Sequence, residues 1–153
     1  MSEYLATVQW TRNSEEDFLA NKYSRVHEWI FDGGLTVPAS PSPHVVSAPW
    51  SDTANVDPEE AFVASLSSCH MLFFLAFAAK AGVLVNAYRD EAIGVLARND
   101  SGKMAMTEVT LRPRIDFDPA TAPSLEKIDE LHHKAHEHCY IANSVNTIIK
   151  IES

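Results

Sequence analysis

An α+β fold with antiparallel sheet is predicted by three features of the sequence. From residue 61 to residue 81 there is no Gly or Pro and one charged side chain, Lys80, so a long helix can run unbroken. On either side of this run, segments alternate apolar and polar residues with the period of a half-buried strand. A second stretch near the end carries a helical stripe of Leu125, Ile128, Leu131 and Ala135. The implied order is three strands, a buried helix, a hairpin, a helix and a strand. At 153 residues the chain fits one domain, given about 100–200 residues per domain.

Taken in order, residues 3–38 read as a β-meander. Its first strand alternates Leu5, Thr7 and Gln9 against Ala6, Val8 and Trp10. Residues 23–31 form the second, with Tyr23, Arg25, His27, Trp29 and Phe31 on one face. The turn Asp32-Gly33-Gly34 leads to a short third strand. Residues 39–56 form a long loop, rich in proline (Pro41, Pro43, Pro49) and carrying Trp50. Loops of this length are usually functional or disordered.

The central helix is expected over 57–82. Asp57 caps it, Pro58 suits the first helical position, Glu60 completes a capping box and Gly82 supplies the stop. Its second half (Met71, Leu72, Phe73, Phe74, Leu75, Phe77) predicts burial on most sides. Residues 83–118 read as a hairpin turning at Asn99-Asp100-Ser101-Gly102, residues 124–138 as a helix capped by Ser124, and residues 146–151 as a last strand.

Composition narrows the function. A formal charge of −9 with no basic run argues against a nucleic-acid partner. The central run has the ~20 residues a bilayer needs. Its first half, though, is rich in Ser and Ala, and no second such run exists, so a core helix packed against its own copy is expected rather than a membrane span. The opening MSEYLATVQW lacks the basic start and apolar run of a signal peptide, which points to the cytoplasm. In that reducing compartment both cysteines begin as thiols.

Cys69 lies in mid-helix between small Ser67, Ser68 and His70, which leaves room for a reactant. Cys139 follows the second helix. If both helices pack on one sheet, the thiols can meet and support a redox cycle, one attacking an oxidant and the other capturing the sulfenic acid. The alternative is that both are small apolar core residues. A reactive Cys69 needs a positive neighbour. Arg25, between aromatic residues, is suited to that role, and Glu59 could hold its guanidinium by a two-pronged ion pair. Glu59 is ten residues before Cys69, about 15 Å along a helix, so it must act through Arg25, through a bend, or on a partner chain. A rival constellation is His132 and His136 at i,i+4 beside Cys139, a spacing able to share a metal. With no accompanying carboxylate or second cysteine cluster, solvated helix histidines and no metal are expected. His70, about 100° around the helix from Cys69, is not placed to pair with it.

With these residues placed, the chain resembles the osmotically inducible protein C / organic hydroperoxide resistance (OsmC/Ohr) family over nearly its whole length. The resemblance is carried by Asp57-Pro58-Glu59-Glu60, followed after ten residues by Ser68-Cys69-His70-Met71, and by Cys139 after a helix with Asn143-Ser144-Val145 behind it. It implies an intertwined homodimer and a thiol peroxidase for organic hydroperoxides. Cys69 would be the peroxidatic cysteine, Cys139 the resolving one, Glu59 the family's glutamate and Arg25 its activating arginine, with Arg12 a second candidate. No cofactor would be bound, and an external dithiol, such as a dihydrolipoyl protein, would return the electrons. Trp50, Phe62, Leu66, Met71 and Phe73 would wall the substrate pocket. Tyr140 stands where the family often has Pro. A non-catalytic protein of the same family, binding a small hydrophobic ligand, is the alternative.

Overall fold

The computed structural model describes residues 1–153 and divides into two compact units, Met1–Ala61 and Phe62–Ser153.

In the first unit, β1 (Ala6–Gln9), β2 (His27–Phe31) and β3 (Thr36–Ala39) form an antiparallel meander in the order β1-β2-β3. The predicted meander is present with shorter strands. β2 begins at His27 rather than Tyr23 because the preceding backbone is bonded elsewhere. The Arg25 N–H donates to the Trp50 carbonyl (3.1 Å), and the Trp10 indole donates to the Ser24 carbonyl (2.9 Å). Trp10, Phe18 and Tyr23 pack as an aromatic trio with centroids 4.5–5.9 Å apart. β1, expected to be half-buried, is exposed throughout within the chain. The loop after β3 is closed at its base. Ser40 N–H donates to the Val56 carbonyl, Val56 N–H to the Pro38 carbonyl, and the buried Ser40 hydroxyl accepts from Asp52 N–H at 2.8 Å.

The long helix α1 (Pro58–Lys80) starts as predicted. Glu60 N–H donates to Asp57 Oδ1 (2.8 Å) and Asp57 N–H to Glu60 Oε2 (3.2 Å), a reciprocal capping box. It stops at Gly82, whose φ of +73° lets Val83 N–H reach the Ala78 carbonyl and Gly82 N–H the Ala79 carbonyl, a Schellman motif. Burial on most sides does not hold. One stripe, Leu66, His70, Phe74 and Ala78, faces inward, while Leu72 is 60% exposed. By length and composition α1 could also cross a membrane, with mean hydropathy 1.8.

In the second unit, the predicted hairpin is folded in the middle. β5 (Ile93–Arg98) pairs antiparallel with β6 (Met104–Leu111), and β4 (Val85–Asp90) pairs antiparallel with β7 (Pro113–Phe117). The ladder breaks between them because Pro113 has no N–H to donate. The Asp90 carboxylate fills the gap, accepting Arg112 N–H (2.6 Å) and the Ser67 hydroxyl of α1 (2.5 Å). α1 lies so close to β5 that a Cβ on Gly94 would sit 2.5 Å from both Val63 Cγ2 and Met106 Cε. The helix α2 (Leu125–His138) is capped by Ser124, as predicted, but Leu125 is exposed. β8 (Ile148–Ile151) adds to β6 in parallel, whereas the other paired strands are antiparallel. Two cores result. Phe74, Ala78, Val83, Leu131 and Ala135 lie between α1 and α2, and Leu66, Val109 and Leu111 lie between α1 and β6.

Candidate functional site

Helical packing in the second unit brings the two cysteines together. Cys69 is half-buried on α1, and Cys139, 1% exposed, is the C-cap residue of α2. The two free thiols are close enough for Cys69 to act on the titration of Cys139. The cap geometry fixes Cys139. Its N–H donates to the Ala135 carbonyl at 3.0 Å, and its sulfur accepts the Ala142 N–H at 3.4 Å from the turn that follows. Burial first, and then the neighbouring Cys69 thiol, push the Cys139 thiol up to about 11, against the opposing pull of backbone donors. Cys139 is therefore a protonated, protected thiol, and Cys69 is the sulfur that a reactant can reach.

Aromatic residues stand beside the pair. The Phe73 ring packs edge-on against Tyr140 at 5.0 Å and lies 6.2 Å from both Phe77 and His138. Phe73 is one helical turn from Cys69 and shares its face. The other expected pocket residues scatter. Leu66 is buried in the core against Val109 and Leu111, and Phe62 packs at that core's edge and floors a separate groove with Arg98, Met106 and Val145. Met71, two residues along, projects about 200° around the helix from Cys69 and cannot share its face. Trp50 belongs to the first unit, half-buried, its carbonyl holding Arg25 N–H.

The expected Glu59–Arg25 ion pair is not formed within the chain. The Arg25 guanidinium lies 3.8 Å over the Tyr23 ring and donates to the Tyr23 carbonyl (2.7 Å) and Asn21 Oδ1 (2.5 Å), so local partners claim it. Glu59, half-buried in the first turn of α1, is absent from the chain's six ion pairs, as is Arg12, which is exposed in the loop after β1.

The histidines divide differently from expectation. His133 and His138 are exposed, but His132 and His70 are buried at 4% and 1% exposure, and His70 Nε2 meets His132 Nδ1 at 3.0 Å. The rings stack with centroids 5.3 Å apart. Burial and the neighbouring His132 and His136 hold His70 down at about 4, and burial lowers His132 against the opposing charges of Asp129 and Asp90. Both are neutral near pH 7. The signal was present in the i,i+4 row Leu66-His70-Phe74-Ala78, which puts His70 on the inward stripe, and in His132 beside Leu131. No three His, Cys, Asp or Glu side chains are grouped to hold a metal, so the His132–His136–Cys139 arrangement does not form one.

Residues 51–153 match the family model described as OsmC-like protein. No curated protein matches the chain. Among solved structures, an OsmC-like protein of unknown function from Vibrio cholerae is 54% identical, with 99% of each chain covered and a TM-score of 0.97. An organic hydroperoxide resistance protein OsmC from Legionella pneumophila shares the fold at 15% identity, covering 99% of this chain and 97% of that one, with a TM-score of 0.69. The organic hydroperoxide resistance protein OhrB of Bacillus subtilis does so at 21% identity, 97% of each chain and a TM-score of 0.63. With residues 51–153 matched by that model and the whole chain sharing this fold, the chain belongs to the OsmC/Ohr family.

Proposed function

We propose that the protein is a thiol-dependent peroxidase that reduces organic hydroperoxides to alcohols. The placement of a half-buried Cys69 on α1 near a buried Cys139 at the end of α2, on this family's fold, carries this reading. The Cys69 thiolate attacks the terminal peroxide oxygen, the O–O bond breaks, and the alkoxide leaves as alcohol after taking a proton. The resulting Cys69 sulfenic acid is captured by Cys139, which releases water and forms the Cys69–Cys139 disulfide. An external dithiol, such as a dihydrolipoyl group, reduces the disulfide, and no bound cofactor is required. The aromatic edge of Phe73 and Tyr140 suits an apolar peroxide substituent.

The cytoplasmic homodimer belongs to the same proposal. The uncovered apolar side of α1 and the exposed apolar residues of the first unit support self-association. In the dimer, Glu59 would find the cation it lacks in its own chain. Arg25 would stabilise the Cys69 thiolate, with Arg12 the second candidate.

The test treats the reduced protein with one equivalent of cumene hydroperoxide and counts free thiols, with Cys69→Ser and Cys139→Ser in parallel. The wild type should lose both thiols within seconds, Cys69→Ser should be inert, and Cys139→Ser should stop at a sulfenic acid. A wild type that keeps both thiols would replace this reading with a hydrophobic-ligand-binding role for the same scaffold.

A further inference from the structure

The second unit carries a cleft of about 470 Å3 between the end of α1 and one side of α2. Small-molecule sites commonly enclose about 300–1,000 Å3. The lining is apolar at its base, with Phe77 and Ala81 from the end of α1 and Leu131, 1% exposed, from α2. Lys80, Lys127 and Lys134 also line it, three of the chain's six lysines in one place. Lysine stems lie along apolar surface while their ammonium heads stay in water, so the three can edge an apolar base without burying their charges.

Charge decides what such a cleft would hold. The chain has a formal charge of −9, yet here three lysines stand against two carboxylates, Glu130 and Glu137, which leaves one positive charge. One surplus charge suits a monoanion and is too small for a phosphate or a diphosphate. Glu130 is shared, 3.0 Å from Lys127 Nζ and 2.6 Å from Lys134 Nζ. An ammonium has three N–H donors, so each of these lysines keeps two for a further acceptor. Lys80 takes part in none of the chain's six ion pairs and keeps all three. The last carbonyls of α1 would repel an anion, but they are engaged, Ala78 by the Val83 N–H and Ala79 by the Gly82 N–H.

The rest of the lining is aromatic. The His138 ring meets Phe77 edge-on with centroids 5.1 Å apart, and Phe77 stacks on Phe73 at 6.2 Å. His138 Nδ1 donates to the Lys134 carbonyl at 2.9 Å, which fixes the ring. In the neutral ring Nε2 then carries a lone pair and does not attract an anion. Aromatic rings favour edge-on or offset neighbours with centroids about 4.5–7 Å apart, so Phe77 and His138 suit a further ring. The cleft therefore asks for two things in one molecule: a single negative charge for the lysines and a flat apolar body for the aromatic wall.

We propose that this cleft is a binding site for an aromatic monocarboxylate, its carboxylate held among Lys80, Lys127 and Lys134 and its ring against Phe77 and His138. Binding is reversible and makes no covalent bond. An acid with an aromatic body gains from both ends of the site, whereas the matching alcohol or a bare carboxylate gains from only one. The site needs neither cysteine to react, so it stands or falls separately from the peroxidase reading.

The probe is phenylpropionate, titrated into the reduced full chain at low salt and followed by the backbone amide shifts in its NMR spectrum. The amides of Phe77, Lys80, Leu131 and Lys134 should move together and saturate, with a Kd on the order of 1 mM or below. Lys80→Gln and Lys134→Gln, both at exposed positions that leave folding intact, should each weaken binding about tenfold. Lys150→Gln, on β8 and outside the cleft, should bind as the wild type does. Phenylpropanol and acetate should each bind at least about tenfold more weakly than phenylpropionate. The absence of saturable shifts at the cleft, shifts confined to the exposed apolar residues of the first unit, equal binding of phenylpropanol, or unchanged affinity in both lysine variants would each overturn the site. A chain whose thiols ignore cumene hydroperoxide would lose the peroxidase reading and could still pass every step of this titration.

Discussion

The two units of the chain bury their apolar residues very differently. The second holds two cores built from Leu66, Phe74, Ala78, Val83, Val109, Leu111, Leu131 and Ala135. In the first, Ala39 is the sole fully buried hydrophobic residue, and the other buried residues are Ser40, Ser42, Ser51 and Asp57. Leu5, Val8, Phe18, Leu19, Val26 and Leu35 are all exposed there. Strand propensity and loop hydrogen bonds give the first unit its shape, and apolar burial holds the second. A small sheet with so little apolar burial is marginal alone.

The largest effect should come from the second unit. Phe74→Ala empties the fully buried centre of the α1–α2 core and should cost about 3–5 kcal/mol in denaturant unfolding. Leu19→Ala, at 95% exposure, should change stability by less than about 0.5 kcal/mol. Equal effects would erase the contrast.

Next in size is pH. The unfolded chain binds a proton at His70 below about 6.5, whereas the folded one resists it down to about 4. Stability contributed by the neutral ring is complete above 6.5 and is lost as pH falls towards 4, by up to about 3 kcal/mol. His132 acts in the same direction. The groups facing the pair, His136, Asp129 and Asp90, set its field, and Asp129 and Asp90 offset part of the loss at His132. Unfolding of His70→Gln over this range should show a flatter pH slope than wild type.

A smaller effect lies at the start of α1. Asp57→Ala removes the acceptor of Glu60 N–H and should cost about 1 kcal/mol, read by thermal unfolding.

The sequence was most readable where local chemistry decides the outcome. Asp57 and Glu60 cap α1, Gly82 ends it, and Ser124 caps α2, each through bonds between near neighbours. It was least readable where distant parts choose partners. Arg25 fits an alternating strand by pattern, yet the Trp50 carbonyl takes its N–H and Tyr23 its guanidinium. The hairpin pattern is continuous through residues 90–113, and its fold appears only when Pro113 withholds a donor and Asp90 reaches across. In the site, the two cysteines were visible as residue types, and their nearness depends on how two helices cross. His70 and His132 look like solvent-facing residues until the buried row through Leu66 and Phe74 is traced.

The parallel pairing of β8 on β6 has a kinetic consequence. Forty residues separate Glu108 from its partner Ile148, whereas β5 and β6 meet across the short turn at residues 99–103. Loop closure must precede the contacts that reward it, so the hairpin can assemble early while the β6–β8 ladder waits for α2 to dock. Refolding followed by pulsed hydrogen exchange should therefore find the backbone amides of Ile148–Ile151 among the last to be shielded. On this order of events, the Cys69–Cys139 meeting is a late event in the life of each newly folded chain.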